Sequence, residues 1–296
     1  MKKVNVLMIA ALTLIAWSCK ENEETVAGDT SQVATVNVHV NNFSVSQEDF
    51  PTSRAEQSIA EYSGIKAITL AFYKSDGTQQ SCTTQLKADN TTYTTFGNFS
   101  LELPVGSYKM IVLGYGSDYP MVFNSMTDVT FGEEKTRETF SYTQDVVISN
   151  AAANDLTGTL QRINSRLHVI STDGRPADAT KVRITFAAGG KGFNPLTGLA
   201  TTDAGFTNVI DFASTAAGEV SKSRADLFLT TDEQTMSLTI ETLDDDGYLL
   251  FSKVVSNVPF KRNRITSLTG SMYSPGSVSA TFSVETDWET DYEMTF

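Results

Sequence analysis

Short apolar runs with a period of two recur from one end of this chain to the other, and no segment sustains a helical period. The clearest is Thr35-Val36-Asn37-Val38-His39-Val40. Side chains alternate across a strand, so Val36, Val38 and Val40 share one face while Asn37 and His39 share the other. Residues 65–73 form a second run, closed by Ser75-Asp76-Gly77, a turn signal. Residues 101–115 read as a strand pair bent at Pro104-Val105-Gly106, with Tyr108, Met110 and Val112 opposite Ile111 and Leu113. Residues 136–148 follow, with Phe140, Tyr142 and Val146 in step.

The second half repeats the pattern. Residues 166–171, 181–187, 227–229, 236–243, 248–255, 265–272 and 278–284 read as strands, with Asp246-Gly247 joining two of them as a hairpin. Residues 44–64, with Pro51 and Arg54, lose the alternation and read as an exposed polar loop. Residues 188–217 are rich in Gly, Thr and Ala and are expected to be a long irregular loop. Evenly spaced strands with turn signals imply sandwiches or barrels, so the expected fold class is all-β. The small polar stretch 150–155 is the expected boundary between two units, 34–154 and 155–296. A length of 296 residues suits two domains at roughly 100–200 residues each.

The first residues carry an export signal. Lys2 and Lys3 precede an apolar stretch broken only by Asn5 and Thr13, and Trp17-Ser18-Cys19 closes it. That stretch is far shorter than the roughly 20 residues of a membrane-spanning helix. Ser18 directly before Cys19 resembles the bacterial lipobox, although Ala16 stands where Leu is usual and Trp17 is bulky. Residues 1–18 are then a lipoprotein signal peptide and Cys19 the lipidated residue; ordinary signal-peptidase cleavage is the alternative. Residues 19–33 form a tether that opens on the acidic run Lys20-Glu21-Asn22-Glu23-Glu24. The only other cysteine is Cys82, so lipidation of Cys19 would leave it without an intrachain partner.

The net charge is −13, and loss of Lys2 and Lys3 with the signal makes it more negative. Nucleic acid is therefore not an expected partner, since phosphate binding needs clustered Lys and Arg. Catalytic residues are hard to find. His39 and His168 each sit alone inside a strand, and no phosphate loop, nucleophile elbow or zinc spacing occurs. Asp244-Asp245-Asp246 could offer oxygens to calcium, but adjacent carboxylates on a tight turn diverge, and a solvated hairpin turn explains them better. Asp287, Glu289, Asp291 and Glu293 read as the solvent face of a strand. No enzyme activity, metal or cofactor is expected. Tyr292, Met294 and Phe296 alternate with Glu293 and Thr295, as in a strand that docks on its own domain or on another chain.

The order of these features resembles the fimbrillin family of type V pili, the lipoprotein-derived fimbrial subunits of Bacteroidales. The likeness rests on the signal ending at Cys19 with its acidic tether, the isolated strand 34–43 before a loop holding Arg54-Ala55, and the run 67–73 closing on Asp76-Gly77. Arg262, Asn263 and Leu268 match the family's Arg-Asn-x-x-Tyr-x-Leu element, with Thr266 in place of the Tyr. Residues 101–108 resemble the Leu-Pro-x-Gly-x-Tyr element of its anchor subunits.

The resemblance implies two tandem transthyretin-like β-sandwich domains and a surface-exposed protein held in the outer membrane through a lipid anchor. It implies a structural subunit of a fimbria, supporting adhesion and joined to other fimbrial subunits by β-strand donation, in an anchor, accessory or stalk role. Arg54 is then the possible protease cleavage site that frees the first strand, and Tyr292, Met294 and Phe296 the possible donor strand. The alternative is a monomeric surface lipoprotein binding glycan or host protein, with Tyr115, Tyr119, Phe123, Phe193 and Phe206 as candidate contacts on loops.

Overall fold

The computed structural model describes residues 32–44, 57–59, 62–91, 93–133, 135–150, 153–212, 215–274 and 281–285. Every long regular segment among them is a strand, so the protein is all-β. The first half contains β1 (Val33–Ser44), β2 (Gln57–Ser58), β3 (Ala67–Tyr73), β4 (Gln79–Leu86), β5 (Asn98–Pro104), β6 (Gly106–Tyr115), β7 (Met121–Ser125), β8 (Asp128–Phe131), β9 (Thr139–Ile148) and β10 (Asn154–Arg162). The second contains β11 (Ser165–Gly174), β12 (Lys181–Phe186), β13 (Phe193–Asn194), β14 (Leu199–Ala200), β15 (Phe206–Asp211), β16 (Val220–Leu227), β17 (Glu233–Leu243), β18 (Leu249–Lys261), β19 (Ile265–Gly270) and β20 (Thr281–Glu285).

One sheet runs β2-β1-β10-β9-β6-β3-β4, with β5 also paired to β1. Its join between β9 and β10 is narrow, only Gln161↔Ser141 and Arg162↔Phe140. The sheet folds over at that join, which brings Val36, Val38 and Val40 of β1 into one core with Leu70 and Phe72 of β3 and Met110 and Val112 of β6. The turn at Asp76-Gly77 forms as read: the Thr78 amide donates to Asp76 Oδ1, and Gly77 takes φ +85°, which glycine adopts without a Cβ clash. In the second half, sheet β16-β11-β19-β20 faces sheet β15-β12-β17-β18 across a separate core that includes Leu167, Val169, Ile184, Leu238, Phe260 and Leu268. Asp244 and Tyr248 close the β17–β18 hairpin around Gly247 at φ +87°.

Several expectations need correction. Residues 101–115 give two strands, but β5 pairs with β1 while β6 lies between β3 and β9, because the bend at Val105 sends them to different layers. The stretch 188–217 is not irregular: β15 pairs with β12 along its whole length and Phe206 stacks on Phe186 at 4.8 Å. The strand expected at 227–229 instead occupies β16, ending where Phe228 turns into another core. Composition places a boundary at 150–155, yet β10 begins at Asn154 and pairs in parallel with β1; the sheets change at Ile163-Asn164. Cys82 on β4 is disulfide-bonded in this structure, whereas lipid on Cys19 would leave its thiol free.

The two halves share a third core and a sheet. Hairpin β7–β8 from the first half joins β13–β14 from the second through Val129↔Phe193. Beneath them Tyr73, Ile111, Leu113 and Tyr115 meet Phe131, Phe193 and Phe228, with Phe193 stacked on Phe228 at 4.5 Å. β3 is consequently buried on both faces, which is why its sequence is a continuous apolar run.

Candidate functional site

β1 is the first described strand, and it lies inside its sheet rather than at an edge. It pairs antiparallel with β5 from Val33↔Pro104 to His39↔Asn98, and parallel with β10 from Val36↔Asn154 to Ser44↔Gln161. Where β5 begins, the ladder continues through the Val40 amide, which donates to the Gly97 carbonyl at 2.9 Å. Val36, Val38 and Val40 are 0%, 0% and 1% exposed. Each such side chain contributes roughly 1.5–3 kcal/mol by leaving water.

The outward face is polar and only half-buried. Asn37 donates to Asp155 Oδ1 at 2.9 Å and accepts from Ser100 Oγ at 3.0 Å, and His39 Nδ1 lies 3.1 Å from Asn98 Oδ1. The alternation read from the sequence therefore holds residue by residue.

Two glycines set the slot's width at Val40. Gly97 has φ +92°, and a Cβ on it would stand 2.7 Å from the Val40 carbonyl oxygen. Gln85 fixes that segment, accepting from the Gly97 amide at 2.8 Å and donating to the Asn98 carbonyl at 2.6 Å. Gly158 is the β10 partner of Val40, and a Cβ there would lie 2.5 Å from the Tyr142 ring. Past Val40 the register with β10 shifts by a bulge before Asn42. Asn42 and Phe43 then pair with Ser58 and Gln57 of β2. That short ladder closes the loop containing Arg54. Arg54 itself lies outside the described residues, as do Cys19, Tyr292, Met294 and Phe296.

Beside the slot is a buried ionic cluster that sequence reasoning missed. Arg162, the last residue of β10, meets Glu138 at 2.7 Å. Arg166 on β11 meets Glu138 at 3.4 Å and Asp226 on β16 at 2.7 Å. Tyr62 donates to Glu138 Oε1 at 2.5 Å, and Asn164 bridges the Asp226 carboxylate and the Thr139 amide. Burial alone would raise the Glu138 pKa, but Arg162, Arg166 and the Tyr62 hydroxyl hold it below the usual carboxylate range. Burial and Glu138 together push the Tyr62 hydroxyl up. Asn263, from the matched Arg-Asn element, takes φ +57° and accepts from Arg162 Nη1 at 3.2 Å. Thr266, where the element has Tyr, is buried and donates to the Pro259 carbonyl at 2.7 Å. The dense cations at 262–264 ahead of a strand were the one available sequence signal for this junction.

The aromatic candidates for ligand contact mostly pack. Tyr115 and Phe193 are fully buried, Phe123 and Phe206 are partly covered against core residues, and Tyr119 alone stays open at 61%. His168 sits inside β11; burial, Lys222, Arg166 and Arg224 push its pKa down to about 3, so it stays neutral. Among the described residues, no group of three or more His, Cys, Asp or Glu is placed to hold a metal.

Solved structures of candidate adhesins, candidate polysaccharide-binding proteins and a fimbrial anchor protein are similar to this chain. A candidate adhesin from Bacteroides ovatus, 12% identical, matches 84% of this chain and 96% of its own with a TM-score of 0.52. The fimbrial anchor protein Mfa2 from Porphyromonas gingivalis, 10% identical, matches 86% of this chain and 97% of its own with a TM-score of 0.48. Candidate polysaccharide-binding proteins from Bacteroides thetaiotaomicron, 12% identical, match 80% of this chain and 92% of their own with a TM-score of 0.46. The likeness to the Bacteroides ovatus protein shows a shared fold. No curated protein matches the sequence. The match that extends over residues 29–295 is to DUF6562, a family of unknown function, and the chain belongs to that family.

Proposed function

We propose that this protein is a cell-surface subunit of an adhesive, fimbria-like assembly, anchored to the outer membrane through lipid on Cys19 and joined to other subunits by strand exchange at the β1 slot. The observation that carries this reading is the state of β1. A strand near the amino end is paired on both sides, contributes three buried valines, and leads into a loop with one arginine, Arg54. Cleavage there would detach β1 from the chain that follows it. Its departure would open the edges of both β5 and β10 over an apolar floor, the arrangement into which an extended segment from another chain can insert. A head-to-tail contact of that kind need not close and can extend into a filament. In this reading β1–β10 and β11–β20 are tandem transthyretin-like sandwiches, and Tyr292, Met294 and Phe296 belong to the segment donated to a neighbouring subunit. Of the five aromatic candidates for glycan contact, Tyr119 is the one that stays open, which leaves that alternative little support from them.

Three variants test it in cells. Cys19→Ala should release the chain from the membrane fraction and abolish labelled-palmitate uptake. Arg54→Ala should keep β1 attached and block acceptance of a partner. Deletion of residues 291–296 should remove the ladder of higher oligomers while the monomer stays folded. If both assembly variants enter surface filaments like wild type, strand exchange through these segments is wrong. Lipid on Cys19 and a disulfide at Cys82 are alternatives, because the sequence holds no third cysteine. The mature protein should therefore show one free thiol; none, with no lipid, would remove the anchor.

A further inference from the structure

We infer that the β1 slot accepts a strand from a different kind of subunit and excludes the tail of a second copy of this chain. The inference rests on the slot being an exchange site, and it names the chemistry of the occupant. The three inward sockets hold valines with no solvent left around them. Val38 lies between its Cα partners Phe99 and Leu156, and Val40 between the Gly97 carbonyl and Gly158. Neither glycine has room for even a methyl group: the Val40 oxygen and the Tyr142 ring already stand where each Cβ would go. A close-packed site of this kind accommodates shape-conserving changes and resists added volume.

The tail has the same spacing as β1, with Tyr292, Met294 and Phe296 matching Val36, Val38 and Val40 in order. Seated in that register, each of the three would force a larger side chain into a valine socket. One outward position conflicts as well. Glu293 would take the place of Asn37, whose amide donates to Asp155 at 2.9 Å. A carboxylate there replaces a hydrogen bond with like-charge repulsion between neighbouring strands. Size and charge therefore reject the tail independently. The fitting occupant runs parallel to β10, carries valine-sized β-branched residues at three alternate positions, and places an amide or a cation opposite Asp155. A filament using this slot is built from unlike subunits.

The test uses full-length mature protein nicked after Arg54 and three fluorescent peptides. One is residues 33–44, one is residues 286–296, and one is the latter with Tyr292, Met294 and Phe296 changed to Val and Glu293 to Asn. The 33–44 peptide should bind at least about tenfold more tightly than the native tail peptide, since a single overpacked site already accounts for such a factor. The altered tail should recover most of that difference. Equal binding of the native tail and the 33–44 peptide overturns the inference while leaving strand exchange standing. Failure of every peptide, the 33–44 peptide included, overturns strand exchange itself and this inference with it. In uncut protein, Val40→Phe and Asn37→Glu should each lower the unfolding midpoint; unchanged midpoints would also overturn the size and charge argument.

Discussion

The β1 slot and the junction between the halves are adjacent and equally dry, yet they are held together by different means. The slot is main-chain pairing plus three valines. The junction is Glu138 shared by Arg162 and Arg166, with Asp226, Asn164 and Tyr62 completing the network. Backbone hydrogen bonds and apolar burial accept another strand of matching pattern and side-chain size, because neither depends on one particular functional group. A buried ion pair does not, because losing one partner strands the other charge away from water. The difference separates a contact that can be exchanged from one that cannot. Arg162 joins them: it ends β10, the strand that lines the slot, and its guanidinium lies in the junction.

The most direct way to break this contrast is Glu138→Ala. It leaves Arg162 and Arg166 facing each other without their shared carboxylate, and should cost about 3–5 kcal/mol in urea unfolding. A loss under about 1 kcal/mol would mean the cluster is effectively solvated and the two regions do not differ in kind.

Acid should act on the second region before the first. Folding lowers the Glu138 pKa, so its contribution is complete above the unfolded carboxylate value of about 4.3 and is lost as pH falls through the lower folded value. His168 adds to this from higher pH. Its folded pKa is about 3 against about 6.5 unfolded, so the unfolded chain alone takes up a proton between them and stability falls with pH across that window. Unfolding curves from pH 7 to 3 should show both losses, and His168→Gln should flatten the part above about pH 4.3.

Within the slot the effects should be smaller and graded by depth. Val38→Ala removes two methyl groups from a closed socket and should cost about 2–3 kcal/mol from transfer and cavity together. Gly97→Ala meets both the positive φ and the Val40 carbonyl, and should cost about 1–2 kcal/mol. Asn37→Ala, on the half-buried outer face, should change the unfolding midpoint least, by under about 1 kcal/mol. If Asn37→Ala exceeds Val38→Ala, the slot is held by polar recognition rather than by pattern.

Much of this was legible in the sequence where near neighbours decide the outcome. The alternation in β1, the opposed faces of β6, the turn at Asp76-Gly77 and the hairpin at Asp246-Gly247 each depend on a few adjacent residues and were read correctly. The readings that failed concern partners. Nothing in residues 206–211 says that β12 offers them an edge, and nothing in residues 121–131 says that a hairpin will cap both halves. The junction was invisible for the same reason. Glu138, Arg162, Arg166 and Asp226 are ordinary surface-type residues in isolation, and only chain closure brings them within ion-pair distance.

That this chain forms strands, which face of each is apolar, and where it turns all follow from the order of its residues, because side-chain period and glycine stereochemistry act locally. That β1 lies between β5 and β10, that β10 sits in the sheet of the first half, and that charges from both halves meet in a dry cluster emerge only when the chain closes on itself. Those outcomes depend on which distant edges pair and which polar groups are taken out of water together. Both are properties of the closed fold rather than of any segment within it.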